Sequence, residues 1–150
     1  MKFKTAKKND IPSIVRMLAD DELGSKREDY KNPLPKKYYE AFQNIMQDKN
    51  QELVILENDN NDIIGTLQLT FIPYLTYQGG LRAQIEAVRI HKNYRGQGFG
   101  KKIFQWAINR SRDKGAHMVQ LTTDKQRPEA IKFYKALGFN DSHIGIKLHL

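Results

Sequence analysis

The chain of 150 residues contains no cysteine. This absence excludes disulfide scaffolds, thiolate nucleophiles, iron–sulfur clusters and zinc sites built on cysteine. Long hydrophobic runs are also missing, because the longest, such as Leu53–Leu56, are far too short to cross a bilayer. The first residues are basic and lack the apolar stretch of a secretory signal, so we expect a cytoplasmic location and no membrane partner. Repeats and Gly/Ser-rich linkers are absent too, which predicts one domain over residues 1–150.

What the sequence does have is the composition of a folded domain with an excess of positive charge. Hydrophobic residues make up 39% and charged residues 28%, which is typical of a soluble globular protein. Lys and Arg outnumber Asp and Glu by 25 to 17, and the formal net charge is +8. Such a balance favours a polyanionic partner, which could be a nucleic acid, an anionic membrane surface or a phosphorylated small molecule.

The hydrophobic pattern alternates between strands and helices. Strands are predicted at Lys2–Ala6, Glu52–Glu57, Ile63–Ile72, Leu81–Ile90 and Met118–Thr122. Helices are predicted after Asn9 or Asp10, after Pro33 and Pro35, after a glycine-rich turn at Arg95–Gly100, and over Pro128–Leu137. The final residues, Asn140–Leu150, alternate weakly and are expected to form the last strands. The order βααβββαβαβ(β) predicts an α/β or α+β fold with a single sheet between helices.

The glycine-rich turn is the most informative segment. Gly96, Gly98 and Gly100 alternate between a strand and a helix, where backbone N–H groups can turn toward an anion and the helix N-terminus adds its dipole. A Walker A loop is excluded because Lys102, not Ser or Thr, follows Gly100-Lys101. A dinucleotide fingerprint fails because it requires a small residue where Ile103 stands. The segment predicts a phosphate cradle, although an ordinary strand-to-helix turn remains an alternative.

A second motif lies downstream of the turn, and the two together resemble the pattern of a protein family. Arg95–Gly100 fits the pattern Arg/Gln-x-x-Gly-x-Gly/Ala, and Ala130–Phe139 fits Ala-x-x-Phe-Tyr-x-x-x-Gly-Phe. In this order, with a strand between them, the two resemble the GNAT superfamily of acyl-CoA-dependent N-acetyltransferases. The resemblance covers the whole chain and implies a mixed, mostly antiparallel sheet with helices on both faces and a splay between its two central parallel strands. One departure is Arg127, which stands where many members carry Asn.

The resemblance implies acetyl-CoA as the cosubstrate and no metal. Its diphosphate would lie on the N–H groups of the glycine turn, and its pantetheine arm would pair with the strand edge at residues 88–90. The backbone N–H near Val88 would face the thioester oxygen and stabilise the oxyanion. The implied cofactor-binding residues are Val88, Arg89, Ile90, Arg95, Gly96, Gln97, Gly98, Phe99, Gly100, Lys101 and Arg127.

Two residues match positions that carry the family's chemistry. Glu86 lies nine residues before Arg95, where several members place a catalytic Glu, and could take a proton from the amine or merely orient the substrate. Tyr134 is the Tyr of the Phe-Tyr pair, which the resemblance makes the acid that protonates the leaving thiolate. A half-buried core aromatic is the alternative for Tyr134.

The acceptor is expected to be a primary amine of a small molecule or an amino acid. The resemblance implies that Asp20–Tyr39, Pro73–Gly80 and the last ten residues shape the acceptor site. Their acidic and aromatic residues would suit a cationic amine, although such charges more often lie on a solvated face. Alternatives are a protein or peptide N-acetyltransferase and a non-catalytic module that binds CoA or nucleic acid. No known nucleic-acid reader motif is present, so we expect no nucleic-acid partner. The four histidines lack metal-ligand spacing, and a homodimer is a possible assembly.

Overall fold

A five-stranded sheet organises the chain, and the computed structural model describes all 150 residues. The strands are β1 (Lys2–Thr5), β2 (Gln51–Glu57), β3 (Ile63–Pro73), β4 (Leu81–Ile90) and β5 (Met118–Leu121). The helices are α1 (Ile11–Leu18), α2 (Glu22–Arg27), α3 (Lys36–Gln47), the single irregular turn α4 (Thr76–Gly79), α5 (Phe99–Asp113) and α6 (Pro128–Ala136). None of these helices is both long and apolar enough to cross a lipid bilayer.

The sheet is mixed and mostly antiparallel, as the sequence predicts. Its strands lie in the order β1-β2-β3-β4-β5, and every neighbouring pair is antiparallel except the parallel pair β4 and β5. The parallel pair is possible because α5 crosses over between the two strands.

The larger hydrophobic core lies between the sheet and α5. Ile103, Phe104 and Ala107 share one face of α5 and are at most 3% exposed. They pack against the apolar side chains of the sheet, among them Leu67 and Leu69 of β3. Side chains of α6 join the same cluster at its margin, so α5 and α6 cover one face of the sheet.

The opposite face carries a second, smaller core. Ile11, Ile14 and Val15 of α1 follow the predicted helical spacing and pack against Leu53 and Ile55 of β2. The aromatic side of α3 covers this cluster from outside. Helices therefore cover both faces of the sheet, which confirms the predicted fold class.

Helix α2 and the single turn α4 are the two helices that the sequence does not predict, and α2 is the longer of them. It has only six residues and begins after Asp21, whose side chain accepts a 2.5 Å hydrogen bond from the Gly24 N–H. Gly24 and Ser25 inside it have weak helix propensity, so the segment shows no clear hydrophobic period. The other predicted elements agree with the structure within a few residues at their ends.

The predicted C-terminal strands are wrong. Residues 140–150 contain no strand and take part in no backbone hydrogen bond. Gly145 passes Thr122, just beyond the end of β5, without pairing with that strand. The outer edge of β5 is free, but the segment forms no hydrogen bonds with it, so the alternating pattern alone does not make a strand. The alternating apolar side chains are 81–117% exposed: Ile144, Ile146, Leu148 and Leu150.

Candidate active site

The two parallel strands separate part-way along their length. Pairs between β4 and β5 run from Arg82–Met118 to Ile85–Leu121, and β4 has no partner on that side from Glu86 onward. This is the splay that the resemblance implies. It leaves a strand edge open inside the sheet, between β4 and the end of β5.

A β-bulge marks the start of the open edge. Gln68 pairs with Glu86 and Thr66 with Arg89, so two steps along β3 correspond to three along β4. The extra residue brings Ala87 to a φ of 53°, in the left-handed region. Bulges of this kind change the direction of a strand and are common next to functional sites.

The N–H groups of Val88 and Ile90 face the open side. The His91 N–H donates to Ile64 of β3 at 2.9 Å, and alternate N–H groups along a strand point to opposite sides. The N–H groups of Arg89 and His91 therefore face β3, whereas those of Val88 and Ile90 face the splay. The predicted pairing edge at residues 88–90 is available.

Side chains near the bulge divide between two faces. Those of Val88 and Ile90 pack against the core under α5. Arg89 and Glu86 pair with Thr66 and Gln68, which lie two residues apart on β3, so both face the side of α1 and α2. Glu86 is exposed and forms no ion pair.

The glycine-rich turn lies beyond the open edge. Gly96 and Gly98 have φ values of 75° and 81°, and a methyl group at either position would meet nothing within 4 Å. Glycine is therefore required there for its backbone conformation and not for space. The backbone N–H groups of residues 96–101 donate to nothing in the protein, and those of residues 99–101 also form the first turn of α5. Six free donors at a helix N-terminus fit a phosphate group.

The predicted side chains of the turn have different partners. Arg95 donates to the Ile90 carbonyl oxygen at 3.0 Å and forms a 3.0 Å ion pair with Asp20, so it ties the turn to the segment between α1 and α2. Gln97 donates to the Asn93 carbonyl oxygen at 3.0 Å. Phe99 is partly buried and Lys101 is exposed.

Tyr134 lies on α6 beside the splay. Its ring packs 5.3 Å from that of Phe104, and its hydroxyl has no hydrogen-bond partner in the protein. Burial raises the pKa of Tyr134, while the charges of Arg127 and Arg89 partly oppose that rise. The phenol therefore stays protonated at neutral pH and can donate a proton. Arg127 occupies the N-cap position of α6 without a side-chain capping hydrogen bond, and it is exposed.

The sequence did not predict that acidic residues around α2 would pair with arginines from distant segments. Arg89 lies 3.5 Å from Asp21, and only 14% of its side chain is exposed. This pair joins residues far apart in sequence, so no local pattern could have indicated it. The acidic residues considered for a cationic acceptor are all paired with cations: Asp20 with Arg95, Asp21 with Arg89, Glu22 with Lys26, Glu28 with Arg27, and Asp29 with Lys31.

The tyrosine loop expected at the acceptor site lies elsewhere. Tyr77 stacks near His117 at 4.7 Å between ring centroids, and the Tyr74 hydroxyl is hydrogen-bonded to the same imidazole. These residues lie at the beginnings of β4 and β5. Because a strand rises about 3.3 Å per residue, Leu81 is about 17 Å from Glu86. The loop Pro73–Gly80 is therefore not part of the splayed end.

Two known acetyltransferases are similar to part of the chain. The glucosamine 6-phosphate N-acetyltransferase of Trypanosoma brucei brucei is 32% identical over 88 residues, which are 59% of this chain and 58% of that protein. The aminoalkylphosphonate N-acetyltransferase of Salmonella typhimurium is 27% identical over 84 residues, 56% of this chain and 54% of that protein. The matched part thus spans little more than half the length of these relatives.

Solved structures resemble nearly the whole chain. A crystal structure described as a transcriptional regulator from Bacillus halodurans C-125 has a TM-score of 0.95 and 52% identity, and the match covers 99% of both chains. A predicted acetyltransferase with acetyl-CoA from Clostridium acetobutylicum has a TM-score of 0.74 and 23% identity, over 99% of this chain and 95% of that one. This second likeness concerns the fold alone.

A family model provides the broadest match. The model described as "Acetyltransferase (GNAT) family" matches residues 18–139. The matched range includes the splay, the glycine-rich turn and Tyr134. On the strength of this match, together with the fold and the two motifs, the chain belongs to the acetyltransferase (GNAT) family.

Proposed function

We propose that the protein transfers an acetyl group from acetyl-CoA to a primary amine of a small molecule or an amino acid. The observation that carries this proposal is the open edge of β4, which leads from the bulge at Ala87 to six free N–H groups at residues 96–101. Backbone N–H groups without protein partners along a strand edge and at a helix N-terminus suit a ligand that accepts hydrogen bonds from them.

The residues present fit acetyl-CoA. The six N–H groups of the turn suit its diphosphate, and the N–H groups of Val88 and Ile90 suit the amide groups of its pantetheine arm. When bound, acetyl-CoA supplies an activated thioester for the attack of an amine. Arg127, in place of the family's Asn, is an exposed cation at the start of α6 and remains a predicted contact.

Three groups of the chain have proposed roles in the transfer. The Val88 N–H stabilises the negative charge that develops on the thioester oxygen. Glu86 accepts a proton either from the acceptor's ammonium group before the attack or from the amine during it, directly or through water, because its carboxylate is exposed where β4 leaves β5. Tyr134 donates its phenolic proton to the leaving thiolate, which is consistent with its raised pKa and unpartnered hydroxyl.

A small acceptor is favoured over a protein. The two relatives described above have names that refer to small amines, an aminoalkylphosphonate and glucosamine 6-phosphate. A peptide acceptor is the second candidate, because the N-alpha-acetyltransferase 30 of Schizosaccharomyces pombe is 37% identical over 59 residues, 39% of this chain and 39% of that one. The cytoplasmic location stays a prediction.

The test is release of CoA from acetyl-CoA in the presence of a panel of primary amines. Because the chain has no cysteine, a thiol-reactive dye reports only the released CoA. Parallel melts should show a higher Tm with acetyl-CoA, since a ligand of the folded state stabilises it. Reactions without amine correct for hydrolysis, and a short peptide with a free N-terminus tests the second candidate. A protein that neither binds acetyl-CoA nor releases CoA with any amine would contradict the proposal.

Nucleic-acid binding is a candidate from a different class. Its support is the +8 charge and the description of the Bacillus halodurans structure as a transcriptional regulator. Binding of duplex DNA that weakens steeply with salt, in a protein without acetyl transfer, would favour this function.

The predicted homodimer also remains to be tested. The exposed Ile144, Ile146, Leu148 and Leu150 are an apolar row that a second copy could cover. Light scattering after gel filtration measures the mass directly, and a mass of 17.5 kDa across the concentration range would contradict a dimer.

A further inference from the structure

Arg89 belongs to the strand edge at which the pantetheine arm is expected to pair, but the proposed reaction assigns no role to its side chain, of which only 14% is exposed. Its guanidinium donates one 2.8 Å hydrogen bond to the Val88 carbonyl oxygen and lies 3.5 Å from Asp21. Its Nε is buried and has no hydrogen-bond partner. A guanidinium has five N–H donors, and leaving one of them buried without an acceptor is costly.

The surroundings of Arg89 are electropositive. Burial lowers the pKa of Arg89; Asp21 opposes this change, while Arg127 and Arg27 lower the pKa further. Arg27 is itself paired with Glu28 at 2.8 Å. The carboxylates of Asp21 and Glu28 thus compensate two of the three arginine charges. One positive charge remains uncompensated around the largely buried Arg89.

The position of Arg89 relates it to the acceptor. It follows Val88, whose N–H faces the thioester position in the proposed reaction, and its side chain lies on the same face of β4 as Glu86. The charge of Arg89 also reaches Tyr134. An amine that attacks beside Val88 would therefore have Glu86 and Arg89 near it.

Another arginine of the same strand shows what is distinctive about Arg89. Arg82 also has a buried Nε without a partner. Its guanidinium, however, lies 5.0 Å from the centre of the Tyr74 ring, and the face of an aromatic ring is a partner for a cation. Arg82 pairs with β5, whereas Arg89 lies where that strand has moved away.

We propose that Arg89 binds an anionic group of the acceptor, so that the substrate is an amine that also carries a carboxylate or a phosphate. The planar fork of a guanidinium suits both groups, and Arg127 adds positive charge nearby. This inference rests on the proposed function and narrows its substrate class from primary amines in general to amino acids and amino phosphates.

The test uses three acceptors that share a two-carbon amine: ethanolamine, which has no anionic group, β-alanine, which has a carboxylate, and O-phosphoethanolamine, which has a phosphate. The wild-type protein should prefer at least one anionic acceptor by about tenfold or more in kcat/KM. Arg89→Gln should raise the KM for that acceptor about 10- to 100-fold and change the value for ethanolamine by less than about twofold. Arg89→Lys, which keeps the charge but loses the fork, should fall between the two.

Controls separate binding from structural effects. Arg82→Gln removes an arginine from the closed part of the same strand and should leave the acceptor preference unchanged. Equal losses with all three acceptors in Arg89→Gln would mean a structural role and overturn the proposal. A loss confined to the affinity for acetyl-CoA would mean that Arg89 binds the cosubstrate, and would overturn it as well.

A binding measurement makes the result independent of turnover. Calorimetric titration of the same three amines into the protein saturated with CoA should show weaker binding of the anionic amines to Arg89→Gln than to the wild type. If the wild type binds the anionic amines no better than ethanolamine, the proposal is wrong. If it prefers them but transfers no acetyl group, the subsite is supported and the proposed function fails.

Discussion

The two ends of β4 differ in whether their polar groups have hydrogen-bond partners within the protein. At its beginning the strand is paired with β5, the Gln120 side chain donates to Gln84 at 2.7 Å, and the Tyr74 hydroxyl is hydrogen-bonded to His117. At its end the strand has no neighbour on the β5 side, and beyond it lie six free N–H groups. One strand thus has a closed end and an open end.

This difference indicates where the protein interacts with other molecules. Polar groups that are paired within the protein are not available to a ligand, whereas free N–H groups at a helix N-terminus are suited to bind an anionic one. At the closed end the polar side chains already form hydrogen bonds with one another. The sequence alone suggests an acceptor site at the tyrosines there, but their polar groups already have partners within the protein. The bulge lies at the open end, together with the glycine-rich turn, Arg89 and Tyr134.

The largest expected effect compares a tyrosine at each end. Tyr134→Phe should lower kcat about 100-fold, because it removes the proposed proton donor to the leaving thiolate. The Kd for acetyl-CoA should change little, since the ring still packs against Phe104. Tyr74→Phe removes a hydroxyl at the closed end and is the matched control. Steady-state kinetics check both variants, and an unchanged kcat in Tyr134→Phe would exclude the acid role.

The second comparison uses two glycines at opposite ends of α5. Gly98 and Gly115 both have a φ of 81°, and a methyl group added at either position would meet no atom within 4 Å. Alanine at either position should cost about 1–2 kcal/mol of stability through backbone strain. Only Gly98→Ala should also weaken acetyl-CoA binding, by about tenfold, because it displaces the free N–H groups.

Thermal melts and calorimetric titration separate the loss of stability from the loss of binding in this comparison. If Gly115→Ala weakened acetyl-CoA binding as much as Gly98→Ala, the effect would arise from general destabilisation. The glycine-rich turn would then not be the phosphate site.

A smaller effect is expected at Glu86. Glu86→Gln should lower kcat/KM about fivefold near pH 6 and less at high pH, where more of the amine is already unprotonated. The measurement is the pH profile of kcat/KM, with Glu22→Gln, another exposed glutamate, as the control. Parallel profiles for the wild type and Glu86→Gln would exclude the role as a base.

The sequence predicted those features that depend on neighbouring residues. The strand before the glycine-rich turn, the turn itself and the start of α6 are all local, and the structure places them as expected. The two motifs also indicated the family and, through it, the splay. A strand that follows a glycine or proline boundary can be identified because the hydrophobic pattern that predicts it lies in its own residues.

What the sequence could not predict depends on distant partners. The pair between Arg89 and Asp21 joins β4 to the start of α2, and the one between Arg95 and Asp20 joins the turn to the same segment. The prediction for the C-terminal segment failed for a related reason: a strand forms only by pairing with a distant segment, and the alternation of residues does not reveal whether that pairing occurs. Helix α2 depends on a single cap at Asp21 and has no periodic face of its own.

The smallest expected effect concerns the stability of the open end. Asp21→Asn keeps a side-chain acceptor for the Gly24 N–H, because Asn caps helices as well as Asp, but removes the charge beside Arg89. Burial alone would raise the pKa of Asp21, but the hydrogen bond from Gly24 and the charges of Arg89, Arg127 and Arg27 together lower it below its usual 3.8. A carboxyl with a lowered pKa stabilises the fold above that usual value and loses this contribution as the pH falls through the folded value.

We therefore expect Asp21→Asn to lower the free energy of unfolding by about 0.5–1 kcal/mol at pH 7, and the difference from the wild type to shrink toward pH 3. Urea denaturation across this range measures the difference. A gap that stayed constant with pH would mean that the charge of Asp21 does not stabilise the open end, and that α2 is held there by its cap and its packing alone.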